Sequence, residues 1–116
     1  MTKLAKQNIK YQVFEVVKEI PRGRVTTYGE IARELRVGPR VVGWMLHLNK
    51  SNDVPCHRVV DRNGRLAPNF AFSAKGGPAS GWDGAIEQRR RLEVEGVKFV
   101  DKMHVDLAKS IWQGKF

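Results

Sequence analysis

The 116-residue chain carries 21 Lys and Arg against 12 Asp and Glu, a formal net charge of +9 and a pI near 10.1, with 41% hydrophobic residues and one cysteine. That length supports a single domain spanning residues 1–116, which buries roughly 65% of the surface its unfolded chain exposes and needs neither disulfide nor metal to hold together. One cysteine cannot form an internal disulfide, which suits a reducing compartment; no run reaches membrane-spanning length, and the first residues lack the apolar core of a signal peptide, so a cytoplasmic protein is expected. The positive excess, interleaved with aromatic and glycine-bearing segments, makes nucleic acid the expected partner. An anionic membrane surface fits less well, since no long helix joins a basic face to a bulky apolar one.

In chain order, Ile9, Val13, Phe14, Val17 and Ile20 recur at three- and four-residue steps and predict an amphipathic helix over 7–20, stopped by Pro21 and Gly23. Thr27-Tyr28-Gly29-Glu30 fits a capping box, in which threonine and glutamate satisfy each other's free amides, so a helix is expected from Tyr28 to about Leu35. Pro39 suits a first helical position and opens a second short helix. One side of it holds Val42, Met45, Leu46 and Asn49; the other collects Arg40, Gly43, Trp44 and His47. Two short helices joined by a glycine-containing turn have the size of a helix-turn-helix, with Gly43 letting backbone approach a partner closely. The competing reading makes Trp44 a core residue.

Residues 53–63 read Asp-Val-Pro-Cys-His-Arg-Val-Val-Asp-Arg-Asn and carry the lone Cys56 directly against His57. A thiol beside an imidazole is a candidate nucleophile, although an isolated cysteine is more often a small buried hydrophobe. Pro55 constrains the entry to this stretch. Adjacent side chains on an extended chain diverge, so a bridging water or a local turn is required for the two to cooperate.

Segments 58–61 and 65–67 flank Asn63-Gly64 and predict a hairpin, the wing of a winged helix-turn-helix that is otherwise mainly α. Residues 67–81 read as a loop, 83–95 as a charged helix ended by Gly96, and 97–100 as a short strand. The tail, with Val105, Leu107, Ile111 and Trp112, is expected to dock on the core.

Pro-Cys-His-Arg-Val-Val at 55–60 resembles the signature of the O6-alkylguanine-DNA alkyltransferases. The likeness extends through 23–32, through the helix from Arg40 to Asn49, and to Leu92-Glu-Val-Glu-Gly96, so it covers most of residues 10–97. The resemblance implies a protein that binds duplex DNA in the minor groove, flips O6-alkylguanine and moves the alkyl group once, irreversibly, to Cys56. His57 then corresponds to the base reaching the thiol through a water, Glu95 to the carboxylate orienting that histidine, and Asn49 to the brace. Tyr28 corresponds to the tyrosine that helps rotate the nucleotide, and Arg40 to the finger that fills the vacated stack. Val41 and Gly43 correspond to the slim contact face, Val59 to a carbonyl offered to the guanine, Phe72 and Ser73 to pocket lining, and Thr27 joins this DNA-binding set. Flipping is a requirement of the chemistry, because a base inside the duplex cannot meet a thiol. Transfer to a thiol needs no cofactor, and His47, His57 and His104 with one cysteine lack the paired spacings of a zinc site.

The chain departs from that pattern in three places. It is expected to lack the additional N-terminal domain of most alkyltransferases, is one residue shorter between Asn49 and Cys56, and reads Phe70-Ala-Phe72-Ser73-Ala-Lys75-Gly-Gly77 where Tyr-Ser-Gly-Gly is usual. These departures resemble the short alkyltransferase-like proteins, which bind the lesion without removing it and flag it for other repair factors. Those usually carry tryptophan or alanine where this chain has Cys56. Transfer by a monomer acting on lesion-bearing duplex DNA is therefore the main expectation, and lesion binding without transfer the alternative. A plain winged-helix transcription factor leaves the Cys-His pair unexplained, and a thiol hydrolase leaves most of the resemblance unexplained.

Overall fold

The computed structural model describes residues 8–67 and 83–114. Helix α1 (Ile9–Lys18) starts at Asn8, whose Oδ1 accepts from the amides of Lys10 and Tyr11 at 3.0 and 3.4 Å. Val13 and Val17 are fully buried on its inner face. The helix stops short of residue 20 because the amides of Glu19 and Ile20 turn to the carbonyls of Val16 and Val17, and Pro21 disfavours a helical Ile20.

Strand β1 (Thr26–Thr27) leads straight into α2 (Tyr28–Leu35). Thr27 Oγ1 accepts the Glu30 amide at 3.2 Å, half of the expected box, while the Glu30 carboxylate pairs with Arg33 at 3.2 Å. Arg36 closes α2 in the left-handed region at φ 58°, with the Val37 amide returning to the Ala32 carbonyl at 3.0 Å. Glycine normally fills that position, and a side chain there costs about 1 kcal/mol. Helix α3 (Pro39–His47) follows, with Pro39 at its start and Val42 and Leu46 buried.

A 3-10 turn, Cys56–Arg58, delivers the chain to β2 (Val59–Val60), which pairs in parallel with β1, Thr26 against Val59 and Thr27 against Val60. Successive strand residues face opposite ways, so Val59 enters a core with Val13, Val17, Ile31, Val42 and Cys56, and Val60 enters a second core with Val25, Leu66, Leu92 and Val105. Burying each such valine contributes about 1.5–3 kcal/mol. The thiol turn thus lies where the two cores meet.

The turn at Asn63-Gly64 forms as its sequence predicts: Gly64 has φ 84°, and Asp61 Oδ1 accepts the amides of Asn63 and Arg65 at 2.8 Å each. Its arms, however, do not make the expected two-stranded wing. Beyond one bond from the Asp61 amide to the Arg65 carbonyl, β2 pairs with β1, Arg65 bridges His104, and the Leu66 amide donates to Met103 at 2.8 Å. The tail captures the second arm because Leu66 is 1% exposed and needs the apolar cover that Val105 supplies. A Cβ on Gly64 would lie 2.5 Å from the Val105 carbonyl, so the close approach itself demands glycine.

Helix α4 (Asp83–Val94) ends as expected at Gly96, φ 88°, with the Val97 and Gly96 amides returning to the carbonyls of Leu92 and Glu93 at 3.0 Å each. Of the strand expected at 97–100, only a bridge between Phe99 and Val105 forms. After α5 (Leu107–Ser110) the tail docks: Val25 donates to Ser110 at 3.0 Å and accepts from the Trp112 amide at 2.8 Å. The described chain is mainly helical with one two-stranded sheet, and no described helix is long and apolar enough to cross a membrane.

Candidate active site

Cys56 opens the 3-10 turn and is 7% exposed. Asn49, just beyond the end of α3 and itself buried, donates from Nδ2 to Cys56 Sγ at 3.1 Å, to the Val54 carbonyl at 3.3 Å and to the Ser51 carbonyl at 2.8 Å, and accepts the Ser51 amide at 3.0 Å. One amide therefore fixes both the thiol and the loop that leads to it. Burial pushes the Cys56 thiol up to about 11, with the Asn49 bond working the other way. At pH 7 the thiolate is about one molecule in ten thousand. Alkylation of Cys56 by iodoacetamide in the DNA-free protein should therefore rise about tenfold per pH unit from pH 7 to 10. A rate that levels off near pH 8 would contradict this environment.

His57 is also buried, and its Nε2 lies 2.8 Å from Glu95 Oε2. Glu95 is a hub: Arg58 donates from Nε and Nη2 to its two oxygens at 3.0 and 2.8 Å, and the Gly23 amide donates at 3.3 Å. Burial pushes this carboxyl up, but the bonds from Arg58 and His57 outweigh it and bring it down to about 2. An ionised Glu95 accepts from Nε2–H, which assigns the unprotonated role to Nδ1. His57 Nδ1 is buried without a partner among the described residues. Burial lowers the His57 pKa, against the opposing pull of Glu95, so the ring is neutral at pH 7 and Nδ1 can take up a proton. The four residues expected at the centre thus form two pairs, Asn49 with Cys56 and His57 with Glu95. The pairs are joined through the tight turn, with no direct bond from Cys56 to His57 among the described residues.

A cleft of about 650 Å³ opens between α3 and the Asp61–Ala67 turn, with Tyr28, Arg40, Gly43, Trp44, His47 and Arg65 along its walls. Tyr28 packs against the core that contains Cys56, and its phenol is pushed up to about 12 by burial and then by the charges of Cys56 and Asp61. Trp44 is 64% exposed, which removes the core reading of this residue. A Cβ on Gly43 would meet nothing within 4 Å among the described residues, so their packing does not explain the glycine. Arg40 is exposed and Val41 half-buried on the same helix. Thr27 is buried with its hydroxyl spent on the α2 cap, and Val59 is fully buried with its carbonyl accepting from Gln88 Nε2 at 2.9 Å. Phe72 and Ser73 lie outside the described residues.

Sequence reading gave no role to Arg58, Gln88 or Arg65. Arg58 stands inside the Pro-Cys-His-Arg signature, but its pairing with a carboxylate 37 positions away has no local signal. No group of three or more His, Cys, Asp or Glu side chains among the described residues could hold a metal ion.

The small, mainly helical domain thus sets a helix with an exposed arginine and tryptophan beside a cleft, and braces a buried thiol with an asparagine. Residues 8–97 match the family described as 6-O-methylguanine DNA methyltransferase, DNA binding domain, and the chain belongs to that family. It is 35% identical over 109 residues to alkyltransferase-like protein 1 of Schizosaccharomyces pombe, covering 88% of this chain and 92% of that protein. The crystal structure of that S. pombe protein, Atl1, in complex with damaged DNA containing O6-carboxymethylguanine superposes with a TM-score of 0.71 at 30% identity, over 98% of this chain and all of that one. The methylated-DNA--protein-cysteine methyltransferase of Methanocaldococcus jannaschii is 36% identical over 89 residues, 76% of this chain but 48% of that protein. The chain spans about half the length of the methyltransferases of this kind that it matches.

Proposed function

We propose that this protein recognises O6-alkylguanine in duplex DNA as a lesion-binding member of its family and flags the site for other repair factors. The observation that carries this reading is the likeness to the lesion-bound S. pombe protein, a TM-score of 0.71 at 30% identity. Helices α2 and α3 act as a helix-turn-helix, with the Asp61–Ala67 turn in the place of a wing. In this reading α3 enters the minor groove, Arg40 fills the stack that the base vacates, and Tyr28 helps turn the nucleotide into the cleft. The cleft volume of about 650 Å³ is ample for a purine with a small alkyl group. Lys and Arg across the +9 surface supply phosphate attraction, so affinity falls steeply with salt. Binding asks nothing of the thiol, which fits a Cys56 that rests almost wholly protonated.

A second reading, transfer to Cys56, is favoured by one specific arrangement: a thiol held by Asn49 beside a neutral His57 that Glu95 orients. In that reaction the Sγ–carbon bond forms as the carbon–O6 bond breaks. The thiol proton passes to His57 Nδ1 through solvent and from there to the departing guanine.

Intact-protein mass spectrometry after incubation with excess O6-methylguanine duplex separates the two. Lesion binding alone predicts a protein that stays at its original mass while bound. Gain of a single methyl group that maps to Cys56 and is lost in Cys56→Ala would replace the first reading with the second.

A further inference from the structure

Gln88 is fully buried on the face of α4 that also buries Ala85 and Leu92, two apolar residues of the second core. An apolar side chain of the same length would fill that space. Instead, Nε2 donates to the carbonyls of His57 and Val59 at 3.2 and 2.9 Å, and Oε1 accepts the Ala67 amide at 2.7 Å. Two carbonyls on one side and an amide on the other leave a single orientation of the group, and both Nε2 protons are used. These three backbone points are not scattered. His57 and Val59 bracket Arg58 at the exit of the thiol turn, and Ala67 lines the cleft.

Among the described residues, Gln88 is a helix donor that reaches the carbonyl of His57. The backbone of the 3-10 turn makes internal returns from the Arg58 amide to Pro55 and from the Val59 amide to Cys56, while Asn49, Glu95 and the Ile20 carbonyl hold its side chains. Such short turns hold their geometry weakly and are fixed by what packs on them. A buried amide with every proton used is expensive to misplace, so it selects one spacing between turn and wall.

We propose that Gln88 is a positioning residue that locks the thiol-bearing turn and the cleft wall at Ala67 into one register, and that lesion selectivity and the shielding of Cys56 both depend on it. The selectivity half rests on the lesion-binding reading above; the shielding half does not. Gln88 is not among the cleft-lining residues and its three bonds go to backbone, so its effect passes through the backbone it holds.

The test compares Gln88→Met, which keeps length and loses all three bonds, with Gln88→Lys, which keeps a donor toward the two carbonyls. Each is measured for the ratio of O6-methylguanine to unmodified duplex affinity and, without DNA, for the iodoacetamide rate of Cys56 at pH 8. Circular dichroism confirms that both remain folded at the working temperature. Gln88→Met should speed Cys56 alkylation at least fivefold and reduce the lesion ratio about tenfold, with affinity for unmodified duplex within twofold of the parent. Gln88→Lys should restore most of the shielding. A folded Gln88→Met with parental thiol rate and lesion ratio would overturn the proposal, leaving Gln88 a packing residue. If the parent itself shows no lesion preference, the thiol rate alone decides: a fivefold increase upholds the lock, an unchanged rate removes it. Should Gln88→Met fail to fold, Gln88→Lys with a thiol rate as fast as unfolded protein would likewise sink the idea, and a shielded thiol would sustain it.

Discussion

Glu95→Gln should lower the unfolding free energy by about 3 kcal/mol at pH 7, read by urea denaturation, and the melting temperature by roughly 10 °C. The carboxylate receives donors from His57, twice from Arg58 and from Gly23. Glutamine matches its shape but turns an NH₂ toward one of those donors and leaves a largely buried guanidinium without its counter-ion. Arg58 holds the Ile20 carbonyl at 2.8 Å as well, so the damage reaches the end of α1. The pH dependence has a definite sign. The folded Glu95 pKa, about 2, lies below its ordinary value of 4.5, so its contribution is fully present above pH 4.5 and is lost as pH falls toward 2. The gap between parent and variant should therefore narrow through that window. A small, pH-independent gap would mean that Glu95 is a solvated helix-end acid and that His57 is not oriented by it.

Arg40→Ala should weaken binding to lesion-bearing duplex about tenfold or more, with single-stranded lesion DNA affected less than twofold. Arg40 is exposed at the start of α3 and lines the cleft, and no hydrogen bond or ion pair to a described residue ties it down. An exposed arginine removed from such a place costs little folding energy, so the change reads out on DNA. Filling the gap in a stack matters only when there is a stack to repair. Equal losses on the two substrates, in parallel titrations at one salt concentration, would instead make Arg40 a phosphate contact.

Helix positions were legible in the sequence because they rest on local signals. The apolar spacing of Val13 and Val17, the threonine cap before Tyr28, Pro39 at the start of α3 and Gly96 past the end of α4 all act within one or two turns of chain. Strand pairing was not legible. Val59-Val60 with Asn63-Gly64 carries the pattern of a hairpin arm, yet its ladder partner is Thr26–Thr27, more than thirty residues earlier. Only the burial of both valine faces, one in each core, selects that partner.

The candidate site divides in the same way. The thiol and its histidine announce themselves as neighbours, and the family signature supplies Asn49 and Glu95. Arg58, which shares Glu95 with His57, and Gln88, which holds the backbone of the thiol turn, become visible only when α4 is brought against residues 57–59. The Val59 carbonyl likewise accepts one bond from a glutamine of α4, a partner with no local signal in the sequence.

The most direct test of the central claim is a competition titration of the parent protein, at fixed salt near physiological strength, against two duplexes that differ only in one O6-methylguanine. The account predicts that the lesion duplex competes at least tenfold better, a difference of about 1.4 kcal/mol, and that the preference persists in Cys56→Ala because recognition lies in the cleft and α3. Equal competition by the two duplexes would contradict it, leaving a basic helical domain that binds DNA without reading the lesion.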